Sequence, residues 1–359
     1  MPINVLVVDD SAFMRRAITK MLEGDPDIVV CGTARSGEDA IEKAVELNPD
    51  VITMDVEMPG MGGLEAVRHI SADQKIPIIM VSALTREGAE TTFRALDLGA
   101  VDFIPKPDSA YVDIRNVARE LIDKVKVFAR RLERRSLEPG APPPAIERRR
   151  HLKGVPRQKG ARDVPFECVA IGTSTGGPVA LSHIVPRMPA DFPAPIVIVQ
   201  HMPLGFTRPL SDRLNAQSAL DVHEAQDGMV LRAGLVIIAR AGQQIGLHRT
   251  SSGVEIVLRQ DENNSLHVPS VDVMTAAVAE VFGNASLGVI LTGMGQDGVI
   301  GLRKLKAAGG YVVGQDEATC VVYGMPRAAA IAGLVDRVAP LDGIPPALCE
   351  LTNASAPRT

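Results

Sequence analysis

Residues 3–11, Ile3-Asn4-Val5-Leu6-Val7-Val8-Asp9-Asp10-Ser11, decide the fold. A strand-sized apolar run, ended by two carboxylates and followed by a segment of helical period, is the opening of a βα unit whose strand is covered on both faces. The pattern returns at Ile28–Cys31, Val51–Met54, Ile78–Val81 and Val101–Ile104, making five such units. Runs this apolar predict a small doubly wound parallel sheet. Beyond Asp163 the alternation resumes with Cys168–Ile171, Ile196–Val199, Leu235–Ala239, Leu287–Leu291 and Tyr311–Val313. A hairpin, Gln244–His248 with Val254–Leu258 around Ser251-Ser252-Gly253, is predicted to interrupt it. The fold class expected is therefore α/β, two doubly wound parallel-sheet domains of which the second carries a β-hairpin.

Between the two lies a change of composition. From Ala129 to Arg162 there are eleven basic residues against Glu133, Glu138 and Glu147, in a chain whose net charge is −5. Pro139, Gly140, Pro142–Pro144, Gly154 and Pro156 fall in the same stretch, which has almost no apolar periodicity and reads as a linker. The expected division is a domain at 1–128, a linker at 129–163, a second domain at 164–352 and a tail at 353–359. A basic arm can bind nucleic acid, but without interleaved aromatics this one reads as a solvated linker and is assigned no function. With 359 residues, 46% of them apolar, two domains of ordinary size can each bury a core. The longest apolar runs fall far short of the roughly 20 residues that span a bilayer. The N-terminus shows no basic n-region or cleavage site, so no signal peptide is expected and a cytoplasmic location is. Cys31, Cys168, Cys320 and Cys349 lack CxxC spacing and read as buried thiols rather than a zinc site or disulfide framework.

Asp9 and Asp10 end the first predicted strand, Asp55 the third, Ser82 the fourth and Lys106 the fifth. In a parallel sheet that edge is where ligands bind. Crowded carboxylates repel unless a hard cation joins them, and Mg²⁺ with a phosphoryl group suits such a set. Asp55 is the candidate nucleophile for forming an acyl phosphate, with Lys106 and the Ser82 hydroxyl on the transferred oxygens. The turn Glu57-Met58-Pro59-Gly60 offers a backbone carbonyl to the metal. A single Asp at a strand end would pass as a cap of the next helix; five groups in register do not. The segments VVDDS, MDVEMPGMGG, VSAL and DFIPKP resemble the flavodoxin-like receiver domain of two-component response regulators, over residues 3 to about 125. The resemblance implies that Asp55 is phosphorylated, that Asp9 and Asp10, with Asp55 and Glu57, hold Mg²⁺, and that Ser82 and Lys106 sense the phosphoryl group. It makes Phe103 the switch aromatic and Lys106–Pro107 a candidate cis peptide.

In the second domain, Cys168-Val169-Ala170-Ile171-Gly172-Thr173-Ser174-Thr175-Gly176-Gly177-Pro178 runs from a strand through small residues into a helical stretch. Gly172-x-Ser174-x-Gly176 has the form of a nucleophile elbow, although Gly, Ser and Thr before a helix also cradle phosphate. A nucleophilic serine needs a base. Of His183, His201, His223, His248 and His267, only His201 directly follows a predicted strand; His183 lies in a helical segment and His248 in the hairpin. Asp297 follows Leu287–Leu291 through Gly293-Met294-Gly295-Gln296. Ser174, His201 and Asp297, each just past a strand of one sheet, form the constellation expected for acyl transfer.

The order Ser, His, Asp is not that of α/β-hydrolases. The segments TSTGGP, VQHMP and TGMGQDG instead resemble the effector domain of chemotaxis protein-glutamate methylesterases, which follows a receiver domain in this arrangement. The resemblance covers nearly the whole chain apart from the linker. It implies phosphorylation-regulated hydrolysis of glutamate γ-methyl esters, and deamidation of glutamines, on the cytoplasmic helices of methylated transmembrane chemoreceptors. Ser174 would attack, His201 shuttle the proton, Asp297 orient His201, and the Met294 N–H hold the oxyanion with help from Thr175. The phosphodonor would be a chemotaxis histidine kinase. No cofactor at the esterase site, no nucleic acid and no membrane insertion are expected. Two rivals are weaker. Gly293-x-Gly295-x-x-Gly298 has the spacing of a dinucleotide fingerprint, with Asp316 beyond the next strand, but Asp297 would repel a pyrophosphate in that loop. A DNA-binding output needs a compact basic domain, whereas basic character here is confined to the linker.

Overall fold

Apolar runs bounded by acids and glycines become two parallel sheets in the computed structural model, which describes residues 2–74, 76–106, 114–137, 165–262 and 265–358. The first domain alternates β1 (Ile3–Val8), α1 (Ala12–Leu22), β2 (Ile28–Ala34), α2 (Gly37–Leu47), β3 (Val51–Asp55), α3 (Gly63–Asp73), β4 (Ile78–Ser82), α4 (Arg86–Asp97), β5 (Asp102–Pro105) and α5 (Ile114–Leu137). Its sheet order is β2-β1-β3-β4-β5, all neighbours parallel. Local chemistry sets the helix starts: the hydroxyls of Ser11, Ser36 and Thr85 each accept the N–H three residues on, capping α1, α2 and α4.

The second domain contains β6 (Cys168–Thr173), α6 (Gly177–Ile184), β7 (Ile196–Gln200), α7 (Thr207–Gln217), β8 (Asp221–Glu224), β9 (Leu235–Ile238), β10 (Gln244–Thr250), β11 (Gly253–Arg259), α8 (Val271–Phe282), β12 (Ser286–Ile290), α9 (Val299–Ala307), β13 (Tyr311–Gln315), α10 (Met325–Ile331), β14 (Arg337–Ala339) and α11 (Ile344–Thr352). A seven-stranded parallel sheet in the order β14-β13-β12-β6-β7-β9-β8 is joined by the separate antiparallel hairpin β10-β11. The expected fold class is therefore found. Two strands were not expected. Both β8 and β14 lie at sheet edges, and their short polar sequences, Asp-Val-His-Glu and Arg-Val-Ala, lack the apolar run that marks a strand covered on both faces.

The stretch from 129 is not linker throughout: α5 carries on to Leu137, with Phe128 and Ala129 buried. Arg, Leu and Glu are good helix formers, and the helix breakers begin only at Pro139. Residues 138–164 lie outside the described residues, as does Pro107 with the expected cis peptide; among the described residues the cis bond is Val268–Pro269. Cys168, Cys320 and Cys349 are buried free thiols, while Cys31 is only half-buried. Among the described residues no helix is long and apolar enough to cross a membrane.

The two cores are continuous. Phe206, fully buried ahead of α7, stacks on Phe103 of the first domain at 4.8 Å and meets Phe93 of α4 edge-on at 6.3 Å. At the rim Arg213 of α7 makes a two-pronged ion pair with Asp97 at the end of α4, 2.8 and 2.7 Å. Val321 reaches from the second domain onto the cluster that contains Val117, Leu121 and Val125 of α5.

Candidate active site

In the second sheet β6 is the first strand laid down; later strands are added on one side as β7, β9 and β8, and on the other as β12, β13 and β14. The carboxyl ends of β12, β6 and β7 thus form a topological switch point, where crossovers diverge and leave a crevice. Ser174 follows β6, His201 follows β7, and Asp297 lies in the loop after β12.

Ser174 is held by its backbone. Its N–H donates to the Thr292 carbonyl at 3.1 Å, and its own carbonyl accepts from Gly177 N–H at 2.8 Å and from the Gln200 carboxamide at 2.9 Å. The same Gln200 nitrogen donates to the His201 carbonyl at 2.9 Å, so one buried side chain ties the serine turn to the histidine segment. The turn needs its glycines: Gly176 sits at φ +77°, and a Cβ at Gly177 would come within 1.8 Å of Gln200 Oε1. Gly293, on the facing loop, approaches so closely that a Cβ there would lie 2.9 Å from Ser174 Cβ. Met294 and its N–H come next in that loop. Thr175 is buried, and its carbonyl accepts from the Thr292 hydroxyl at 2.9 Å.

Asp297 accepts four hydrogen bonds. Oδ1 takes the Ser270 hydroxyl at 2.8 Å and Asp272 N–H at 3.0 Å; Oδ2 takes Val271 N–H at 2.7 Å and His201 Nε2 at 2.7 Å. The carboxylate therefore caps the N-terminus of α8 while it receives the imidazole. Burial works to raise its pKa, but the His201 bond and charge and the α8 N–H groups outweigh it and hold the carboxyl well below the usual range. Because Asp297 can only accept, Nε2 carries the proton and Nδ1 is the basic nitrogen. His201 Nδ1 is buried without a hydrogen-bond partner, so it is not bonded to Ser174 in this conformation. Such contacts are commonly long before substrate closes the site.

Sequence reasoning missed His267, whose ring lies flat on that of His201 with centroids 3.9 Å apart and planes 12° from parallel. No periodicity or motif places the loop that carries it. Ser270 was missed too, although a serine just before the helical run Val271–Phe282 is a readable N-cap signal. His183 is in α6 and His248 in β10, as expected, and His223 is in β8.

At the first site, ligand oxygens of Asp9, Asp10 and Asp55 lie within 4.8 Å of one another. Lys106 Nζ donates to Asp55 Oδ2 at 2.8 Å and is 3.6 Å from Asp9 Oδ2. Glu57, expected at the metal through a backbone carbonyl of its turn, has an exposed side chain, and its N–H donates to Asp55 Oδ1 at 3.3 Å. The Ser82 hydroxyl donates to the Gly88 carbonyl of α4 at 3.1 Å, and the Phe103 ring is buried. Burial, opposed by the Lys106 hydrogen bond and aided by the Asp9 charge, pushes Asp55 up to about 6. The sign for stability follows. The folded protein keeps a proton that the unfolded chain releases at about pH 4, so the stability due to Asp55 falls as pH rises from about 4 to 6 and stays low above that. Asp55→Asn, in buffer without divalent cations, is expected to add about 2 kcal/mol at pH 8 and almost nothing at pH 4. Urea unfolding at the two pH values checks this; an equal gain at both would sink the assignment.

Residues 169–348 match the family model for the CheB methylesterase, and residues 5–115 that for the response regulator receiver domain. The chain is 47% identical over 354 residues to a protein-glutamate methylesterase/protein-glutamine glutaminase of Symbiobacterium thermophilum, covering 97% of this chain and 96% of that one. A protein of the same name from Pyrococcus abyssi is 44% identical, with 96% and 92% covered. The crystal structure of the Thermotoga maritima CheB methylesterase catalytic domain superposes with a TM-score of 0.51 at 44% identity, covering 52% of this chain and all of that one.

Proposed function

The chain belongs to the CheB methylesterase family, and on that premise we propose that it is a phosphorylation-regulated hydrolase acting on chemoreceptors. It removes methyl groups from glutamate γ-methyl esters and converts glutamine side chains to glutamate. The observation that carries the reading is the state of His201: its Nε2 is engaged by Asp297, its Nδ1 is buried and unpartnered, and its segment is tied to the Ser174 turn through Gln200. In this reading Nδ1 takes the Ser174 proton as Oγ attacks the ester carbonyl, and the negative charge that develops on the carbonyl oxygen is met by Met294 N–H, with Thr175 lining the turn. The His201 imidazolium, stabilised by Asp297, returns the proton to the leaving methoxide and methanol departs. Water, deprotonated by Nδ1, then cleaves the acyl-serine to glutamate. With glutamine the leaving group is ammonia.

The receiver's residues fit a divalent cation: Asp9 Oδ2 is buried without a hydrogen-bond partner, in a cluster of three acidic side chains that includes its own. Asp9, Asp10 and Asp55 would hold Mg²⁺, whose charge would offset theirs and that of an incoming phosphoryl group. Asp55 receives the phosphoryl group from a histidine kinase, Lys106 leaves its ion pair with Asp55 to hold the new oxygens, and Ser82 turns from Gly88 toward them. Phe103 links that change to the esterase, since it stacks on Phe206, five residues after His201. A second link runs from α5 through Val321, against which a Cβ at Gly176 of the serine turn would lie at 2.5 Å. The proposed location is the cytoplasm, where receptor helices and kinase are accessible.

Methanol release from methylated receptor fragments, with and without a small-molecule phosphodonor, tests the reading. Release that rises with the phosphodonor supports it, and no release in either condition overturns it. The interface makes a separate prediction. Asp97→Lys reverses the charge facing the half-buried Arg213 on an exposed side chain, so the unphosphorylated rate is expected to rise several-fold while the thermal midpoint of the catalytic domain stays within about 2 °C. An unchanged basal rate would exclude this contact from restraint.

A further inference from the structure

We propose that His267 is a positioning residue of the esterase site, its imidazole laid flat on that of His201 so that the base keeps Nε2 on Asp297 and Nδ1 aimed at the Ser174 hydroxyl. The proposal rests on the triad reading given above. A single hydrogen bond at Nε2 fixes one point of a ring that can still tip about it. Face-to-face contact at 3.9 Å and 12° narrows that freedom, because tipping toward His267 drives one ring into the other and tipping away gives up the contact.

The loop carrying His267 is itself anchored. The Gln244 carboxamide donates to the His267 carbonyl at 3.1 Å and accepts Ser270 N–H at 2.9 Å, and Gly242 N–H donates to the Val268 carbonyl at 3.0 Å. Three residues after the stacking ring, Ser270 donates to Asp297. One short segment therefore grips both the base and the acid that orients it.

Charge agrees with this role. The groups facing His267 are His201 from the loop after β7, Asp297 from the loop after β12, and Glu120 from α5 of the receiver, itself paired with Lys124 at 2.8 Å. Burial lowers the His267 pKa first and the His201 charge lowers it further, to about 4, against the opposing pull of Asp297 and Glu120. A neutral ring thus lies against the base at neutral pH and sets no like charge beside the imidazolium formed during turnover.

The test uses the full chain with a phosphodonor and methylated receptor fragments, reading kcat and KM across pH for His267→Phe, His267→Ala and His267→Lys, with Ser174→Ala alongside. Phe keeps a flat ring and is expected to stay within about threefold of the wild-type kcat. Ala is expected to lose roughly 10- to 100-fold in kcat with KM within about twofold, the scale of a misaligned catalytic group. Lys sets a permanent charge against His201 and is expected to move the acid limb of kcat/KM to lower pH. Wild-type kcat and pH profile in both Ala and Lys would overturn the inference, as would an equal loss in Phe and Ala. Should Ser174→Ala stay active, the triad reading falls and this inference with it. An inactive Ser174→Ala beside unaffected His267 variants refutes the positioning role alone.

Discussion

Ser174→Ala is expected to lower methanol release at saturating substrate by about three orders of magnitude or more, with the fold intact. The effect is large because, among the described residues, the neighbouring hydroxyls are not placed to replace the proposed nucleophile. The Thr173 hydroxyl is fully buried and committed to the Thr292 carbonyl at 2.8 Å. Thr175 is buried as well, with its backbone carbonyl held by Thr292. The fold survives because every hydrogen bond that the structure gives Ser174 is made by its backbone, to Thr292, Gly177 and Gln200. Alanine preserves all three. The thermal midpoint should therefore match wild type, and receptor fragments should still bind. Turnover within tenfold of wild type would remove Ser174 from the chemistry.

Asp297→Asn is expected to cost about 10⁴ in kcat, the scale seen where an orienting aspartate becomes an amide and the imidazole takes the wrong tautomer. Unlike the serine change, this one should also destabilise the protein. The carboxylate accepts from Ser270, Val271, Asp272 and His201 at once. An amide supplies one oxygen for these donors and turns an NH₂ toward others, leaving buried N–H groups of α8 unpaired. Loss of about 3 kcal/mol at neutral pH is expected, the scale of breaking a buried charged network from one side. The sign with pH follows from the lowered pKa: the carboxylate's contribution is present above the ordinary carboxylate range and is lost as pH falls through its folded pKa. The gap between variant and wild type in urea should thus be widest near neutrality and narrow in strong acid. A gap independent of pH would mean that the charge of Asp297 contributes nothing to α8.

Much of this was legible in the residues because burial on both faces writes a simple signal. Strands such as Val51–Asp55 and Ile196–Gln200 are buried along their whole length and mostly apolar, so their ends, and the polar groups at those ends, can be located by eye. Edge strands β8 and β14 escape because half of their surface faces water. The extent of α5 escapes because composition marks where a helix must stop but not where a tolerated one continues. Glu57 shows a different limit. Its position after Asp55 is visible in the sequence, but the conformation of the turn determines that its N–H points back to the carboxylate.

The chain order of βα units, the strand-end placement of Ser174, His201, Asp297 and Asp55, and the glycine turns beside them are properties of the sequence, since local periodicity and backbone sterics determine them. The stack of His267 on His201, the seat of Asp297 on the first turn of α8, the Gln200 bridge and the contact of Phe103 with Phe206 belong to the tertiary structure alone. Each joins segments far apart in the chain and depends on which strands become neighbours and how closely helices pack on them. No local propensity encodes that: the pairing comes from the collective burial of the two cores, and the distances that make the site chemical exist only once that burial is complete.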